Sequence, residues 1–184
     1  MSEAVSALAG QSYSGFATVT EAGLRGMIAL RGDLGSKALA AAVRDVTGTA
    51  MPGPRRIVAQ GDRAAAWMSP DELLILLPYA EAPAVAAALT DGLAGEHSLV
   101  TDVSDARVMF TITGAKADQV LRKLTPADID ALAPGEIRRT RIAQVAGAFW
   151  RSGADEITLV TFRSVARYMM DVLEMSARTR SELA

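Results

Sequence analysis

The sequence predicts an α+β fold made of two similar halves, each with the element order β-α-β-β-α. The first observation is a repeated phrase, AWMSPDELLILLP at residues 65–77 and AFWRSGADEITLV at residues 148–160. The second is the order of strand, glycine, helix, strand, turn, strand and helix, which occurs twice along the chain. We therefore expect the two phrases to be the same hairpin in half-repeats at about residues 24–95 and 98–176.

The first half follows a segment with little periodicity. Residues 1–22 are small and polar, and we expect them to form an N-terminal arm that orders against a neighbouring subunit, outside a single domain of residues 23–184. GMIALRG predicts a strand, and GSKALAAAVRDVTG predicts a helix that ends at Gly48. After the breaker-rich loop MPGPRR come the first hairpin and a helix, APAVAAALTDGLAG, with Val85, Leu89 and Leu93 on one apolar stripe.

The second half repeats this order. LVTDVSDARVMFTITG predicts two strands around a polar corner, and AKADQVLRKL predicts a helix. RRTRIAQVAGAFWRSGADEITLV supplies the next strands. In the last helix, SVARYMMDVLEMS, the predicted core-packing face is the stripe of Val165, Tyr168, Val172 and Met175, widened by Met169 and Leu173.

Composition excludes several classes of function. The 184 residues carry a net charge of −2, which gives no electrostatic footprint for nucleic acid. Without cysteine the chain has no disulfide, thiolate metal ligand or cysteine nucleophile, and one histidine argues against a multi-histidine metal site. Since no apolar run is long enough to cross a bilayer, we expect a cytoplasmic protein without membrane or nucleic-acid contacts.

Three acidic or titratable features have simple structural interpretations. Asp71 and Asp155 lie at the hairpin turns, where aspartate commonly accepts hydrogen bonds from nearby backbone amides. His97 follows a glycine near a helix end and is expected to be a loop residue. We therefore expect no catalytic carboxylate or histidine base among them.

The densest polar cluster is DVSDAR, with Asp102, Ser104, Asp105 and Arg107. One interpretation pairs Asp102 with Arg107 as a site for a polar substrate. The favoured interpretation is a corner between strands, in which Ser104 and Asp105 satisfy free backbone groups and Arg107 balances their charge.

The most basic neighbourhood consists of arginines, which suit bidentate capture of carboxylate or phosphate. They are either a solvated strand face or a candidate subunit interface. The candidate interface residues are Arg138, Arg139, Arg141, Arg151 and Arg163.

Six phrases in order carry a resemblance that covers the chain from about Gly26 to Leu173. They are GMIALRGDLGSKALAAAVRDVTG, PGPRR, AWMSPDELLILLP, LVTDVSDARVMFTITG, RTRIAQVAGAFWR and the RSVARY helix start. Together they resemble the gamma subunit of bacterial heterotetrameric sarcosine oxidase. The individual phrases are not diagnostic of a chemistry, but the ordered set is specific.

The resemblance implies a non-catalytic accessory subunit with a fold similar to the folate-binding domain of aminomethyltransferases. The complex it implies demethylates sarcosine oxidatively to glycine with hydrogen peroxide and, with tetrahydrofolate, yields 5,10-methylenetetrahydrofolate. FAD, FMN, NAD, zinc and tetrahydrofolate are expected in the alpha, beta and delta subunits and none in this chain, with alpha its most direct partner. The alternatives are a stand-alone tetrahydrofolate-binding or one-carbon transfer protein and a scaffold unrelated to sarcosine.

Overall fold

The structure, a computed structural model, describes residues 3–183. These residues form antiparallel strands and α-helices. The strands are β1 (Ser12–Ser14), β2 (Thr18–Glu21), β3 (Gly26–Arg31), β4 (Ile57–Gln60), β5 (Arg63–Ser69), β6 (Glu72–Leu77), β7 (Leu99–Asp102), β8 (Arg107–Thr113), β9 (Ile137–Ile142), β10 (Val145–Gly153) and β11 (Glu156–Phe162). The helices are α1 (Lys37–Thr47), α2 (Ala82–Gly92), α3 (Ala117–Arg122) and α4 (Ala166–Ala177).

The chain divides into two compact units. The continuous unit is Arg25–Asp105, and the split unit combines residues 3–24 with 106–183. The continuous unit has a sheet of order β4-β5-β6-β3-β7, and the split unit has a sheet of order β1-β2-β8-β11-β10-β9. Each unit therefore combines helices with one antiparallel sheet, as the α+β prediction requires.

The continuous unit has a core between its sheet and two helices. Ile28, Ala65 and Ile75 of the sheet form one apolar cluster with Val43 of α1 and Leu89 of α2. Helix α1 begins where the Ser36 hydroxyl accepts hydrogen bonds from two backbone N–H groups of its first turn. It ends at Gly48, whose φ of 72° lets its N–H reach Arg44 O at 2.7 Å. The predicted end at Gly48 is confirmed.

Part of the N-terminal segment belongs to the core of the split unit. The expectation of a separate arm over residues 1–22 was therefore wrong for the described residues of that segment. Strand β2 pairs with β8, where Val19 lies opposite Ile112, and the Val19 side chain is fully buried in the core of this unit. In β2 the inward-facing residues are Val19 and Glu21. Because one of them is a carboxylate, the sequence does not show the apolar alternation that predicts a strand. The buried Glu21 accepts hydrogen bonds from Ser6 Oγ at 2.8 Å and Gly10 N at 2.7 Å.

The boundaries of the expected half-repeats also differ from the observed units. Residues 99–102, placed in the second half by the sequence, form β7 and pair with β3 of the continuous unit. In the split unit β2 occupies the place beside β8 instead. The polar corner therefore ends one sheet rather than joining two strands of one half, because β7 and β8 pair with different neighbours. Superposition of the two halves stays a prediction.

The last helix buries one side of the predicted face and exposes the other. Met169, Met170 and Leu173 are fully buried, whereas Tyr168 is 39% exposed and Met175 is 53% exposed. The predicted Met169, Val172 and Leu173 are buried, and the core also takes up Met170, a long flexible side chain that the predicted face did not include. The stripe through Tyr168 and Met175 therefore lies largely at the surface.

Candidate functional site

The corner that follows β7 is built from hydrogen bonds that hold backbone. Ser104 is buried, and its Oγ accepts from Met27 N at 2.9 Å and donates to Asp102 Oδ1 at 2.5 Å. The same Asp102 oxygen accepts from Ser104 N at 3.0 Å, and Asp105 accepts from the Tyr79 hydroxyl. This geometry supports the favoured structural interpretation of the DVSDAR segment, with Asp102 rather than Asp105 bonding the backbone.

Arg107 lies at the start of β8 and has an aromatic neighbour. Its guanidinium carbon lies 4.3 Å from the centre of the Phe162 ring, a distance at which a cation is attracted to the ring face. Phe162 is itself 42% exposed. The arginine therefore covers part of an aromatic ring that stays partly exposed to water.

The hairpin turn of the continuous unit holds Asp71 where the sequence placed it, but its carboxylate is bonded mainly by side chains and not by the backbone amides that were expected. Asp71 accepts from Ser69 Oγ at 2.6 Å and pairs with Arg31 Nη2 at 2.8 Å. The Ser69 hydrogen bond, followed by that of Arg31, lowers the pKa of the Asp71 carboxyl. Arg31 and Asp71 line a surface cavity of about 400 Å³, and the exposed His97 lines it as well. His97 is thus a loop residue, as expected.

The candidate interface arginines divide between the two faces of the split unit's sheet. Arg139 and Arg141 are exposed on one face of the edge strand β9. Arg138 lies on the other face and pairs with Glu136, with side-chain exposures of only 19% and 10%. Since both members of that pair are mostly enclosed, Arg138 is engaged within its own unit.

The other two arginines occupy separate places. Arg151 lies on β10 opposite Ile157, on the same face as Phe149 and hence opposite to that of Arg139. Arg163 follows β11, and its Nη2 donates to Val5 O at 2.8 Å. The structure therefore brings only Arg139 and Arg141 together as an exposed pair.

A second cavity was missed by sequence reasoning. It measures about 620 Å³ and lies in the continuous unit between the loop before β4, the β5–β6 turn and the loop before α1. Its lining includes Trp67, Leu34, Met51 and the prolines Pro52, Pro54 and Pro70. We call it the Trp67 groove. The signal in the sequence is the co-occurrence of MPGPRR and WMSP, each of which alone predicts only a loop or a turn.

Two classes of site lack candidates in the part of the chain that the structure describes. Within residues 3–183 no group of three or more His, Asp or Glu residues is arranged to hold a metal ion. Over the same residues, no helix has the length and apolar character needed to cross a membrane.

Comparison with known sequences gives a consistent set of relatives. Residues 31–178 match the family described as "Sarcosine oxidase, gamma subunit family". The chain is 37% identical over 142 residues to sarcosine oxidase subunit gamma of Arthrobacter sp, covering 74% of this chain and 65% of that protein. It is 36% identical over 141 residues to the same subunit of Corynebacterium sp. (strain P-1), with the same coverage. The chain thus spans slightly less than two thirds of the length of these curated relatives.

Solved structures show the same relationship. A chain of heterotetrameric sarcosine oxidase from Corynebacterium sp. U-96, in complex with pyrrole 2-carboxylate, matches with a TM-score of 0.80 and 25% identity over 90% of this chain and 87% of that chain. Glycine cleavage system aminomethyltransferase T from Bartonella henselae matches with a TM-score of 0.64 and 16% identity, over 85% of this chain and 45% of that chain. The second likeness concerns the fold alone. The α+β class and its similarity to aminomethyltransferases are confirmed.

Proposed function

Because the chain belongs to the sarcosine oxidase gamma subunit family, we propose that it is a non-catalytic accessory subunit of a cytoplasmic heterotetrameric sarcosine oxidase. The observation that carries this proposal is the match of residues 31–178 to that family. The similarity to a chain of a solved heterotetrameric sarcosine oxidase, over 90% of this chain, supports it. The proposed partners are the alpha, beta and delta subunits.

The reaction proposed for the assembly is the oxidative demethylation of sarcosine to glycine with release of hydrogen peroxide. With tetrahydrofolate the one-carbon unit leaves as 5,10-methylenetetrahydrofolate. We assign FAD, FMN, NAD, zinc and the tetrahydrofolate site to the partner subunits. This chain's role is to pack against them and hold their arrangement.

The engagement of polar side chains within the fold supports a structural role. Glu21 binds the chain's own N-terminal segment, Ser104 binds the backbone of β3, and Arg138 binds Glu136. Asp71, whose pKa is lowered, is held by Ser69 and Arg31 at a hairpin turn. In each case the partner of the polar or charged group is a residue of the same unit, so the group stabilises the fold of that unit.

The alpha subunit is the proposed direct contact, through the face of β9 that carries Arg139 and Arg141. An exposed edge strand presents unpaired backbone groups, and two arginines beside it favour a partner that carries carboxylates. Arginine is enriched at protein interfaces because its stem packs on apolar surface while its planar head binds acids. This pair therefore replaces the larger cluster that the sequence suggested.

A stand-alone tetrahydrofolate-binding or one-carbon transfer protein is the less favoured alternative. Its support is the aminomethyltransferase-like fold, but this chain covers only 45% of that enzyme. Titration calorimetry of the full chain with tetrahydrofolate separates the two functions. The accessory role predicts no saturable heat from the isolated chain, together with co-purification with tagged alpha subunit. Saturable binding without co-purification would establish the alternative.

A further inference from the structure

The Trp67 groove is an apolar surface cavity without an occupant from the described chain. Its lining consists of aliphatic, proline and aromatic residues, and it opens to solvent. The described residues offer no hydrogen-bond acceptor to the Trp67 indole N–H, and the side chain is only partly buried. A partly exposed indole with a free donor combines an apolar face with one directed hydrogen bond.

The groove is held open by rigid backbone. Gly53 O accepts from Arg56 N at 3.1 Å, which closes a turn with Pro54 and Arg55 at its centre. Proline fixes the first central residue, and Arg55 has φ 58°, the left-handed conformation that glycine adopts most easily in a type II turn. A surface already fixed in this way loses little conformational freedom when a partner binds.

A positive charge borders the groove. The carbonyl of Arg56 accepts from Trp67 N at 2.9 Å, so the two residues are direct neighbours across antiparallel backbone and their side chains share a face. Arg56 is exposed, and its Cγ lies 4.0 Å from where a Cβ on Gly53 would be. No ion pair within the described residues neutralises its guanidinium. An occupant that carries a carboxylate next to an apolar group complements this arrangement.

We propose that the Trp67 groove docks an extended, acidic segment of another subunit, with a proline or aliphatic side chain against the indole ring and a carboxylate on Arg56. This inference rests on the proposed function, since it requires the chain to be part of an assembly. The indole N–H donates to a backbone carbonyl of the segment. Aromatic grooves recognise extended polypeptide in this manner, because such a chain presents side chains and free carbonyls together.

Two features favour a polypeptide over a small molecule. Small-molecule sites enclose most of the ligand and orient it by several converging polar groups, whereas this groove is open and its lining residues are apolar. The Trp67 indole, a side-chain donor in the lining, and the bordering cation Arg56 suit a repeating backbone with an acidic side chain. A second copy of this chain is the competing occupant, which the experiment distinguishes.

The direct test is photo-cross-linking in the assembled oxidase. The full chain carries p-benzoylphenylalanine in place of the exposed Pro54 and is co-produced with the alpha, beta and delta subunits. We expect irradiation to join residue 54 to an extended segment rich in Asp or Glu in one of those subunits. The probe at Asp91, exposed at the end of α2 in the same unit, is expected not to reach that segment. A cross-link to a second copy of this chain, or none from position 54 in an intact complex, overturns the proposal.

Charge variants provide an independent measurement. Because Arg56 is exposed, Arg56→Glu is expected to leave the fold intact while weakening retention of the chain by the complex by about tenfold or more. Arg56→Lys is expected to retain most of the binding, and Arg44→Glu, an exposed reversal on α1, to retain all of it. Trp67→Phe keeps an aromatic ring but loses the N–H donor, and its retention by the complex is expected to lie between that of wild type and that of Arg56→Glu.

The outcomes distinguish a failure of the proposed function from a failure of the groove proposal. If the wild-type chain fails to assemble with any oxidase subunit, the proposed function is wrong and the groove proposal falls with it. If the wild type assembles and Arg56→Glu and Trp67→Phe assemble equally well, the proposed function stands and the groove proposal alone is wrong.

Discussion

Gly15 lies directly against the carbonyl oxygen that ends α4. The N–H of Phe16 donates to Ala177 O at 2.9 Å, and a Cβ built on Gly15 would lie 1.9 Å from the same oxygen. Such a distance is far inside van der Waals contact, so only glycine permits this approach. The N-terminal segment therefore packs directly against the end of the C-terminal helix within one unit.

The first prediction follows from this contact. Gly15→Val is expected to lower the free energy of unfolding by about 1–3 kcal/mol, because the backbone must move to admit the side chain. Urea denaturation of the full chain measures the change. Gly95→Val is the matched control, since nothing lies within 4 Å of a Cβ at Gly95. Equal stability of the two variants would show that residues 12–21 are not part of the core.

The second prediction concerns the polar corner after β7. Ser104→Ala is expected to cost about 1–3 kcal/mol, because the buried Met27 N–H loses the hydroxyl that accepts its hydrogen bond. Thermal and urea unfolding measure it. Ser164→Ala, at an exposed position, is the control and is expected to be neutral. A neutral Ser104→Ala would reopen the interpretation of this corner as a ligand site.

The third prediction concerns pH. A carboxyl whose pKa is lowered on folding, as that of Asp71 is, stabilises the fold fully above its ordinary pKa near 3.8. That contribution is lost as pH falls below this value and through the lowered pKa of the folded state. Asp71→Asn is therefore expected to be less stable than wild type at neutral pH, with the difference vanishing in acid. Ser69→Ala removes the largest contributor to the shift and is expected to shrink the same difference. A difference independent of pH would contradict this account.

The fourth prediction tests the interface on β9. Reversing both Arg139 and Arg141 to Glu is expected to weaken capture by the alpha subunit by about 2–5 kcal/mol while the isolated chain unfolds normally. Reversal of the exposed Arg178 and Arg180 in the same unit controls for net charge. Surface plasmon resonance on immobilised alpha subunit compares the two. Equal binding by both double variants would leave the β9 arginines as solvated strand residues.

Much of the fold follows from local sequence signals. Gly48 ends α1 as predicted, and the apolar face of α2 is buried at Val85, Leu89 and Leu93. These predictions succeed because helix ends and apolar periodicity act over a few residues. Strand partners depend on distant residues, and the placement of β7 with β3 and of β2 with β8 could not be inferred locally.

The two tryptophans lie at different register positions of their hairpins, although the two hairpin sequences are similar. Trp67 pairs with Leu73, which follows Glu72, whereas Trp150 pairs with Thr158, two residues after Glu156. The sequence separations already differ by one, since Trp67 and Trp150 are 83 positions apart but Asp71 and Asp155 are 84. A one-residue shift moves a side chain to the other face of a strand. Trp67 therefore packs against the core cluster of its own unit, while the core cluster of the split unit contains Phe149 in place of Trp150.

The candidate site was harder to predict than the fold. Arginine spacing on β9 did identify the exposed pair, but it could not show that Glu136 engages Arg138 or that Arg151 lies on the opposite face. The Trp67 groove joins residues from three loops, and such a surface exists only once the chain is folded.

Native mass spectrometry of the co-produced oxidase tests the central claim most directly. The alpha, beta and delta subunits are expressed with and without this chain, purified through a tag on alpha, and weighed intact. We predict a complex that contains one copy of each subunit when this chain is present, and a loss of assembled, sarcosine-oxidising complex when it is omitted. A complete and active complex of the other three subunits, with this chain absent from it under both conditions, would contradict its role as an accessory subunit.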